Sequence, residues 1–170
     1  KIAGLCHDLG HGPVSHGFDG LLASALPPGT PGADHEARSV ALLRHIVATR
    51  GVALGEAEVD AVCELIRPAT MALPPFWYQL IANVVNGIDV DKLDYPQRGC
   101  RMVGLPHEID IHRFLEYARI IDGQICYPFK MHFDIHHLFA TRHRLHAQVY
   151  QHPTVRAYEL MCIAYMRLLP

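Results

Sequence analysis

An eleven-residue stretch near the start of the chain, CHDLGHGPVSH, carries four side chains that can bind a metal or transfer a proton: His7, Asp8, His11 and His16. The adjacent His7–Asp8 pair offers one imidazole nitrogen and one carboxylate oxygen, a mixed set that suits iron, manganese, zinc or magnesium. Two residues do not complete a coordination sphere, so a further ligand is expected from a later segment. Taken alone, a His-Asp dipeptide also occurs by chance at structural or solvated positions.

Two later segments carry more acids and imidazoles. DHEARS places His35 and Glu36 at the start of a predicted helix, and DVDKLDY contains Asp89, Asp91 and Asp94. An aspartate on a helix in such a segment is the natural additional donor for a metal bound by the His-Asp pair.

A basic stripe is predicted close to the other end of the chain. Arg142, His146 and Tyr150 are spaced i, i+4, i+8, so one helix would present all three along one side. A guanidinium binds two phosphate oxygens at once, and Lys92 supplies a further positive charge. The stripe is explained equally well as a solvated basic helix face, and the spacing alone does not decide between the two.

Bulk composition excludes several classes of protein. With 170 residues, 50% of them hydrophobic and 19% charged, the chain is long enough for one domain with a core and too short for two ordinary ones. Its net charge of −2 leaves any attraction for phosphate to local clusters. The apolar runs are too short to span a membrane. The five cysteines are scattered without a CxxC pair, which argues against a thiolate zinc site and predicts a reducing, intracellular setting.

The elements that position the first group of residues are predicted to be helical. KIAGLCHD is interpreted as the end of a buried helix, FDGLLASAL as a short helix and PPGTPGA as a loop. Asp34 is the predicted N-cap of a helix that stops at Gly51. The apolar spacing in EAEVDAVCELI predicts another helix that ends before Pro68.

The stretch LIANVVNGIDVDKLDY is ambiguous. Its Asn86-Gly87 pair is typical of a hairpin turn. Its apolar residues follow a helical period instead, so we predict one helix that continues through Gly87 at a cost of about 1 kcal/mol. On that helix Asp91 and Tyr95 would lie one turn apart.

Downstream, Asp122-Gly123 predicts a small hairpin, and the segments 131–150 and 153–168 predict long helices. The predicted fold class is all-α, mainly helical, with one minor β-hairpin.

Four motifs together resemble the HD-domain deoxynucleoside triphosphate (dNTP) triphosphohydrolases, most closely the eukaryotic members that join a sterile alpha motif to such a domain. The motifs are AGLCHDLGHGPVSHGFDG, DHEARS, NGIDVDKLDYPQR and TRHRLHAQVYQH, in the family's order, from the first residues to about position 152. The resemblance implies metal-dependent hydrolysis of dNTPs such as dGTP to the deoxynucleoside and tripolyphosphate. It also implies that residues 1–170 are a partial HD domain, without the N-terminal helix that holds the first metal histidine and without the C-terminal region.

The resemblance assigns three residues to the metal: His7, Asp8 and Asp91. It assigns a second group to catalysis: His11, His16, Asp19, His35 and Glu36. In that group, His35 and Glu36 are expected to form a hydrogen-bonded pair that faces the scissile phosphate, and His11 to contact the α-phosphate. His16, assisted by Asp19, is the expected acid for the departing 5′-oxygen, because imidazole titrates near neutrality.

The resemblance also assigns the substrate-binding residues: Lys92, Arg142 and His146 on the phosphates, and Tyr95 and Tyr150 around the sugar. A tyrosine packed under C2′ would exclude ribose.

Two positions depart from the family pattern. Gly99 replaces an aspartate that binds the sugar 3′-hydroxyl, and Pro153 replaces a lysine. Loss of the acceptor at position 99 implies that sugar recognition is either lost or moved to a neighbouring residue.

A regulatory nucleotide site between subunits is a further implication of the resemblance. Arg113 and Lys130 match basic residues of that site, whereas Pro128 replaces an arginine. The expected partners of the full-length protein are the dNTP substrate and a second copy of the chain with nucleotide activators. Single-stranded nucleic acid is a secondary expectation, no membrane partner is expected, and a nuclear location follows only by family analogy.

Two other functions stay open. One is a non-catalytic module that binds nucleotides or single-stranded nucleic acid. The other is a different HD-type phosphodiesterase, which would need the metal pair but not DYPQR or TRHRLHAQVYQH. The joint presence of both sets of motifs favours the dNTP triphosphohydrolase. Because the chain starts at Lys1, we expect it to be a piece of a longer protein with weak metal affinity and little activity alone.

Overall fold

A computed structural model of the chain describes residues 1–107 and 109–168. These residues form helices and one two-stranded antiparallel sheet, which confirms the predicted fold class. The chain divides into two compact units, one formed by Lys1–Ala72 with the segment that begins at Arg156, the other by Leu73–Val155. No helix among the described residues is long and apolar enough to reach across a lipid bilayer.

The first unit contains four helices in its N-terminal segment: α1 (Ile2–Cys6), α2 (His16–Ala25), α3 (His35–Arg50) and α4 (Glu56–Ile66). As predicted, Asp34 caps α3 by accepting a hydrogen bond from the Ala37 N–H at 2.7 Å, and Gly51 ends the helix in the left-handed conformation. Most of α9 (Pro153–Met166) also belongs to this unit.

The core of the first unit forms where α4 contacts α1 and α3. Its buried apolar side chains come from all three helices: Ala3, Cys6, Leu43, Val59, Cys63 and Ile66. The loop after α1 approaches α3 so closely that a Cβ at Gly10 would overlap the backbone at His35 and Ser39. This glycine therefore allows the loop with the first histidines to lie directly on α3.

The second unit contains α5 (Pro75–Ile81), α6 (Val90–Val103), α7 (Ile111–Tyr117), the strands β1 (Arg119–Ile121) and β2 (Gln124–Cys126), and α8 (His132–Leu145). A short 3₁₀ turn, Phe129–Met131, precedes α8, and a π-helical turn, His146–Tyr150, follows it. α6 packs against α8. The core cluster consists of Ile88, Leu93, Ile109, Phe114, Met131 and Leu138.

The predicted helix through Gly87 is wrong. α5 ends at Ile81, and α6 begins only after Asp89. The Asn83 side chain accepts hydrogen bonds from the backbone N–H groups of Val85 and Asn86, which replaces helical hydrogen bonding. Gly87 has a φ of +72°, and Val85 is 63% exposed, so the apolar period does not mark a buried face. The hairpin alternative is also wrong, because this turn joins two helices.

The predicted hairpin at Asp122-Gly123 is confirmed. Ile121 pairs with Gln124, and both turn residues have positive φ, at +49° and +74°, as a type I′ turn requires. The predicted long helix over 131–150 is confirmed in part, since its last turn is π-helical and not α-helical. The short helix α7 was not predicted.

Candidate functional site

Six residues of the first unit form what we call the histidine cluster: His7, Asp8, His11, His16, Asp19 and His35. The first two directly follow α1, and His11 lies in the loop after them. His16 is the first residue of α2, with Asp19 one turn further, and His35 is the first residue of α3. The close approach of this loop to α3 brings the two ends of the cluster together.

The His7–Asp8 pair has the geometry of two metal ligands. His7 Nδ1 lies 3.0 Å from the Gly4 carbonyl oxygen, and because a carbonyl only accepts, Nδ1 carries the proton. The Nε2 lone pair is therefore available, and it lies 3.4 Å from Asp8 Oδ1. Two ligands bound at about 2.1 Å in a tetrahedral site are separated by about 3.4 Å. The residues present therefore fit a divalent cation.

Three imidazoles lie against one another beside this pair. The rings of His11 and His35 stack at 4.1 Å with an interplanar angle of 10°, and His16 meets both edge-on at 4.9 and 5.4 Å. One ligand atom from each of these residues and Asp19 lies within 4.8 Å of the others. The lone pairs of two parallel rings run side by side and do not converge, so this part of the cluster is better suited to proton transfer than to a metal.

The protonation state of His11 follows from its surroundings. Burial, followed by the charge of His35, lowers the pKa of His11. Its Nδ1 is buried and has no hydrogen-bond partner within the described part of the chain. Its Nε2 lies 3.4 Å from Asp8 Oδ1. The lowered pKa favours the neutral form of His11, and because a carboxylate only accepts, the contact with Asp8 places the ring proton on Nε2.

Asp19 holds the imidazole of His35 in place. His35 Nδ1 donates to Asp19 Oδ2 at 2.7 Å, and Arg38 forms a short ion pair with Oδ1. Burial alone would raise the pKa of Asp19, but the hydrogen bonds from Arg38 and His35 lower it below its ordinary value. Asp19 is therefore ionised at neutral pH, and it leaves His35 Nε2 as the nitrogen that can face a substrate.

The expected hydrogen-bonded pair of His35 and Glu36 is wrong, because the carboxylate that accepts the His35 hydrogen bond belongs to Asp19. Adjacent helical residues point about 100° apart, which separates the two side chains. The role of Glu36 as a catalytic group stays a prediction.

His16 is the most exposed member of the cluster, with 81% of its side chain accessible and Nδ1 3.9 Å from Asp19 Oδ2. It follows Val14 and Ser15, which have φ angles of +58° and +49°. Two successive non-glycine residues in this region are strained, and such strain persists where the surrounding structure requires it. The strained turn starts α2 with His16 at its first position.

Two residues missed by the sequence analysis support the cluster. Arg38 donates from Nε to the Gly10 carbonyl at 2.7 Å, in addition to its ion pair with Asp19. Ser39 is fully buried, accepts from the Gly10 N–H at 2.8 Å and donates to the His7 carbonyl at 2.6 Å. Arg38 and Ser39 lie three and four residues after His35 and therefore on the same face of α3. This spacing is the sequence pattern that could have identified them.

The second unit contains what we call the tyrosine–histidine cluster: Tyr95, Arg142, His146 and Tyr150. Tyr95 Oη lies 3.4 Å from His146 Nε2, and the Tyr150 ring lies 5.2 Å from His146 at 85°. Burial, followed by the charge of Arg142, lowers the pKa of His146, and burial raises the pKa of Tyr95. The predicted stripe thus passes from α8 into the π-helical turn, which brings two of its members into ring contact.

Gly99 creates space for Tyr150. A Cβ at Gly99 would overlap the Tyr150 hydroxyl. The family pattern has an aspartate at this position. In this protein, the Tyr150 phenol oxygen occupies the space that a side chain at position 99 would need.

Lys92 and Asp91 both lie in the first turn of α6. Asp89, which is buried, caps this helix by accepting from the Lys92 N–H at 2.9 Å and also forms a short ion pair with the Lys92 ammonium. The predicted phosphate contact of Lys92 would have to replace or share this ion pair. The assignment of Asp91 as a third metal ligand stays a prediction from the sequence.

The two residues expected at a regulatory nucleotide site surround one aromatic ring. Arg113 forms a bidentate ion pair with Asp134, at 3.0 and 3.1 Å. Its guanidinium also lies over the Tyr117 ring at 5.6 Å, and the Lys130 ammonium lies 3.6 Å from the same ring. The regulatory role of both cations stays a prediction.

No family model matches the chain, but several curated proteins do. An HD domain-containing protein of Acanthamoeba polyphaga mimivirus is 37% identical over 95% of this chain and 35% of its own length. The deoxynucleoside triphosphate triphosphohydrolase SAMHD1 homolog of Dictyostelium discoideum is 36% identical over 95% of this chain and 31% of its own length. Human SAMHD1 is 35% identical over 89% of this chain and 28% of its own length.

The chain therefore spans about a third of the length of the curated relatives that it matches. Their similarity extends over 89–95% of this chain. The resemblance suggested by the four motifs is thus confirmed: at 35–37% identity, the chain is similar over most of its length to an HD domain-containing protein and to SAMHD1 deoxynucleoside triphosphate triphosphohydrolases.

Proposed function

We propose that the protein to which this chain belongs hydrolyses deoxynucleoside triphosphates to the deoxynucleoside and tripolyphosphate. The observation that carries this proposal is the histidine cluster, in which an ionised Asp19 holds His35 against His11 beside the His7–Asp8 pair. Curated relatives named as dNTP triphosphohydrolases support the substrate class.

A divalent cation is the cofactor of this proposal, with iron, manganese, zinc and magnesium as candidates. His7 Nε2 and Asp8 Oδ1 would hold it, and Asp91 is the predicted third ligand. When bound, such a cation lowers the pKa of water and offsets negative charge on a phosphoryl group.

The reaction breaks the bond between the α-phosphorus and the 5′-oxygen and forms a bond from phosphorus to a water oxygen. The departing 5′-oxygen must receive a proton, and His16 is the proposed acid because it is exposed to an incoming substrate and has the carboxylate of Asp19 3.9 Å away. The attacking water releases one proton to the solvent as the 5′-oxygen takes one up from His16, which solvent then reprotonates, so one water is consumed for each deoxynucleoside and tripolyphosphate released.

His11 and His35 are proposed to contact the phosphate that is attacked. Asp19 fixes the tautomer of His35, which presents Nε2 to the substrate. His11 has a lowered pKa and a buried Nδ1 that lacks a partner in the described part of the chain.

The tyrosine–histidine cluster is the proposed binding site for the rest of the substrate. Arg142 and His146 are assigned to the phosphates, and Tyr95 and Tyr150 to the sugar. Lys92 is a weaker candidate for phosphate binding, since its ammonium already neutralises Asp89.

The proposal is tested by incubating the whole protein with dGTP and either Mg²⁺ or Mn²⁺ and following the products by phosphorus NMR. Tripolyphosphate and deoxyguanosine are the expected products. Pyrophosphate or orthophosphate as the first product would indicate another HD-type phosphodiesterase. Saturable dGTP binding without turnover, with the metal present, would indicate a non-catalytic nucleotide-binding module.

A further inference from the structure

A cavity of about 290 Å³ in the second unit is separate from every residue assigned above. It lies between the segment after α6 and one side of α8. Its lining consists of Pro106, His107, His137, Ala140, Thr141 and Arg144. Such a volume accommodates a small ligand, at the lower limit of ordinary binding pockets.

Two residues of this lining, His107 and Arg144, each have a buried nitrogen without a hydrogen-bond partner among residues 1–107 and 109–168: His107 Nδ1 and Arg144 Nε. The guanidinium of Arg144 is held in place by a short hydrogen bond from Nη2 to the Pro106 carbonyl. Arginine remains protonated in proteins, so its Nε–H is always a donor. Leaving such a donor buried and unsatisfied is unfavourable, and a ligand with acceptor oxygens would supply the missing partner.

The charge of the lining selects the type of ligand. Arg144 contributes a permanent positive charge, His107 and His137 contribute imidazoles, and Thr141 contributes a hydroxyl. The lining residues just named include no carboxylate. A ligand that offers several acceptor oxygens and a negative charge satisfies this set, because arginine binds phosphate through charge-assisted hydrogen bonds.

We propose that this cavity binds a phosphate group through Arg144 and His107. The group is either inorganic phosphate or the terminal phosphoryl group of a larger molecule. In both cases the Arg144 guanidinium donates to one phosphate oxygen, and the His107 imidazole donates to another.

The test is a titration of the whole protein with inorganic phosphate, measured by calorimetry and by the imidazole NMR signal of His107. We expect saturable binding that weakens at least about tenfold in Arg144→Gln, because a charge-assisted hydrogen bond contributes about 1.5–3 kcal/mol. Arg144→Lys keeps the charge without the Nε–H donor and should also weaken binding. Arg101→Gln, which removes an exposed arginine at the end of α6, should leave it unchanged.

The same titration in the Asp19→Asn background separates this site from the proposed active site. Phosphate binding that persists there supports the proposal even if turnover is lost. A deoxynucleoside monophosphate that competes more strongly than inorganic phosphate would identify the larger molecule as the source of the group. Absence of saturable binding, or equal affinity in the wild type and Arg144→Gln with unchanged melting temperatures, would overturn the proposal.

Discussion

The two clusters are built from similar residue types but are held in different ways. In the histidine cluster, the His35 imidazole is fixed by a 2.7 Å hydrogen bond to an ionised Asp19, which is itself paired with Arg38. In the tyrosine–histidine cluster, His146 contacts Tyr95 only at 3.4 Å and otherwise packs against rings. A short, charge-assisted contact defines a protonation state, whereas ring packing defines mainly a shape. The first arrangement suits proton transfer and the second suits substrate selection.

The largest expected effect comes from removing the charge at the centre of the first cluster. Asp19→Asn keeps the size of the side chain but loses the ion pair with Arg38 and the anion that stabilises a protonated imidazole. We expect kcat for dNTP hydrolysis to fall by about 10²- to 10⁴-fold, the contribution typical of acid–base groups. KM should change little, and the pH–rate profile should shift, because Asp19 acts through His35 and His16.

Asp60→Asn is the matched control for this variant, since it removes an exposed aspartate that pairs with Arg44 at 2.6 Å. Exposed ion pairs contribute at most about 1 kcal/mol, so its kinetics should match the wild type. Equal kinetics for both variants would show that the ionised carboxylate in the histidine cluster has no role in the reaction.

The parts of the fold that could be predicted from the sequence are those determined within one turn of a helix. The Asp34 cap and the Gly51 stop of α3 are local signals, and both are confirmed. The prediction for the stretch around Gly87 failed although its contacts are also local, because the Asn83 side chain competes with the helical backbone for hydrogen bonds. The apolar period there suggested burial, yet Val84 is 94% exposed.

The contacts within the histidine cluster could be predicted only in part for a different reason. The residues of the motifs indicate which imidazoles matter, but the partner of each one depends on contacts between distant segments. The carboxylate on His35 comes from Asp19, 16 residues earlier, and not from the adjacent Glu36. The roles of Arg38 and Ser39 likewise depend on Gly10, which lies 28 and 29 residues away.

A second prediction concerns how firmly the loop of the histidine cluster is held. Ser39→Ala removes the acceptor for the buried Gly10 N–H and the donor to the His7 carbonyl. Leaving a buried N–H unsatisfied costs about 1–3 kcal/mol, so the free energy of unfolding should fall by that amount in denaturant titrations. Metal content should also fall, because the backbone of His7 loses its support.

Ser24→Ala provides the comparison, since the exposed Ser24 hydroxyl bonds only to the Leu21 carbonyl. Its effect should stay within about 0.5 kcal/mol. Similar stability and metal content for the two variants would mean that Ser39 does not hold the loop.

In the tyrosine–histidine cluster, the corresponding prediction concerns shape. Gly99→Ala introduces a Cβ that would overlap the Tyr150 hydroxyl, so the phenol must move. We expect KM for the dNTP to rise on the order of tenfold while kcat changes little. Alanine has the higher helix propensity, so a simple helix effect would raise the melting temperature and leave KM unchanged.

The double variant Gly99→Ala/Tyr150→Phe makes this test specific. Phenylalanine lacks the hydroxyl that the new methyl group would meet, so the second substitution should remove most of the strain caused by the first. Strictly additive effects on KM would show that the two positions do not interact in the way that the structure indicates.

The smallest effect concerns a second carboxylate of the first unit, Glu64, which accepts hydrogen bonds from the backbone N–H groups of Ala69, Thr70 and Met71 at 2.7–3.3 Å. Desolvation opposes ionisation, but these hydrogen bonds lower the pKa of Glu64 to about 2 from its ordinary 4.5.

Because the pKa of Glu64 is lower in the folded state, its ionised form stabilises the turn above pH 4.5, and this stabilisation is lost as the pH falls from 4.5 towards 2. Hydrogen exchange of residues 69–71, corrected for intrinsic rates, should therefore show protection that declines over that interval in the wild type. In Glu64→Gln the protection should be lower at neutral pH and nearly independent of pH. The same pH dependence in both proteins would show that backbone geometry alone, and not the carboxylate, holds this turn.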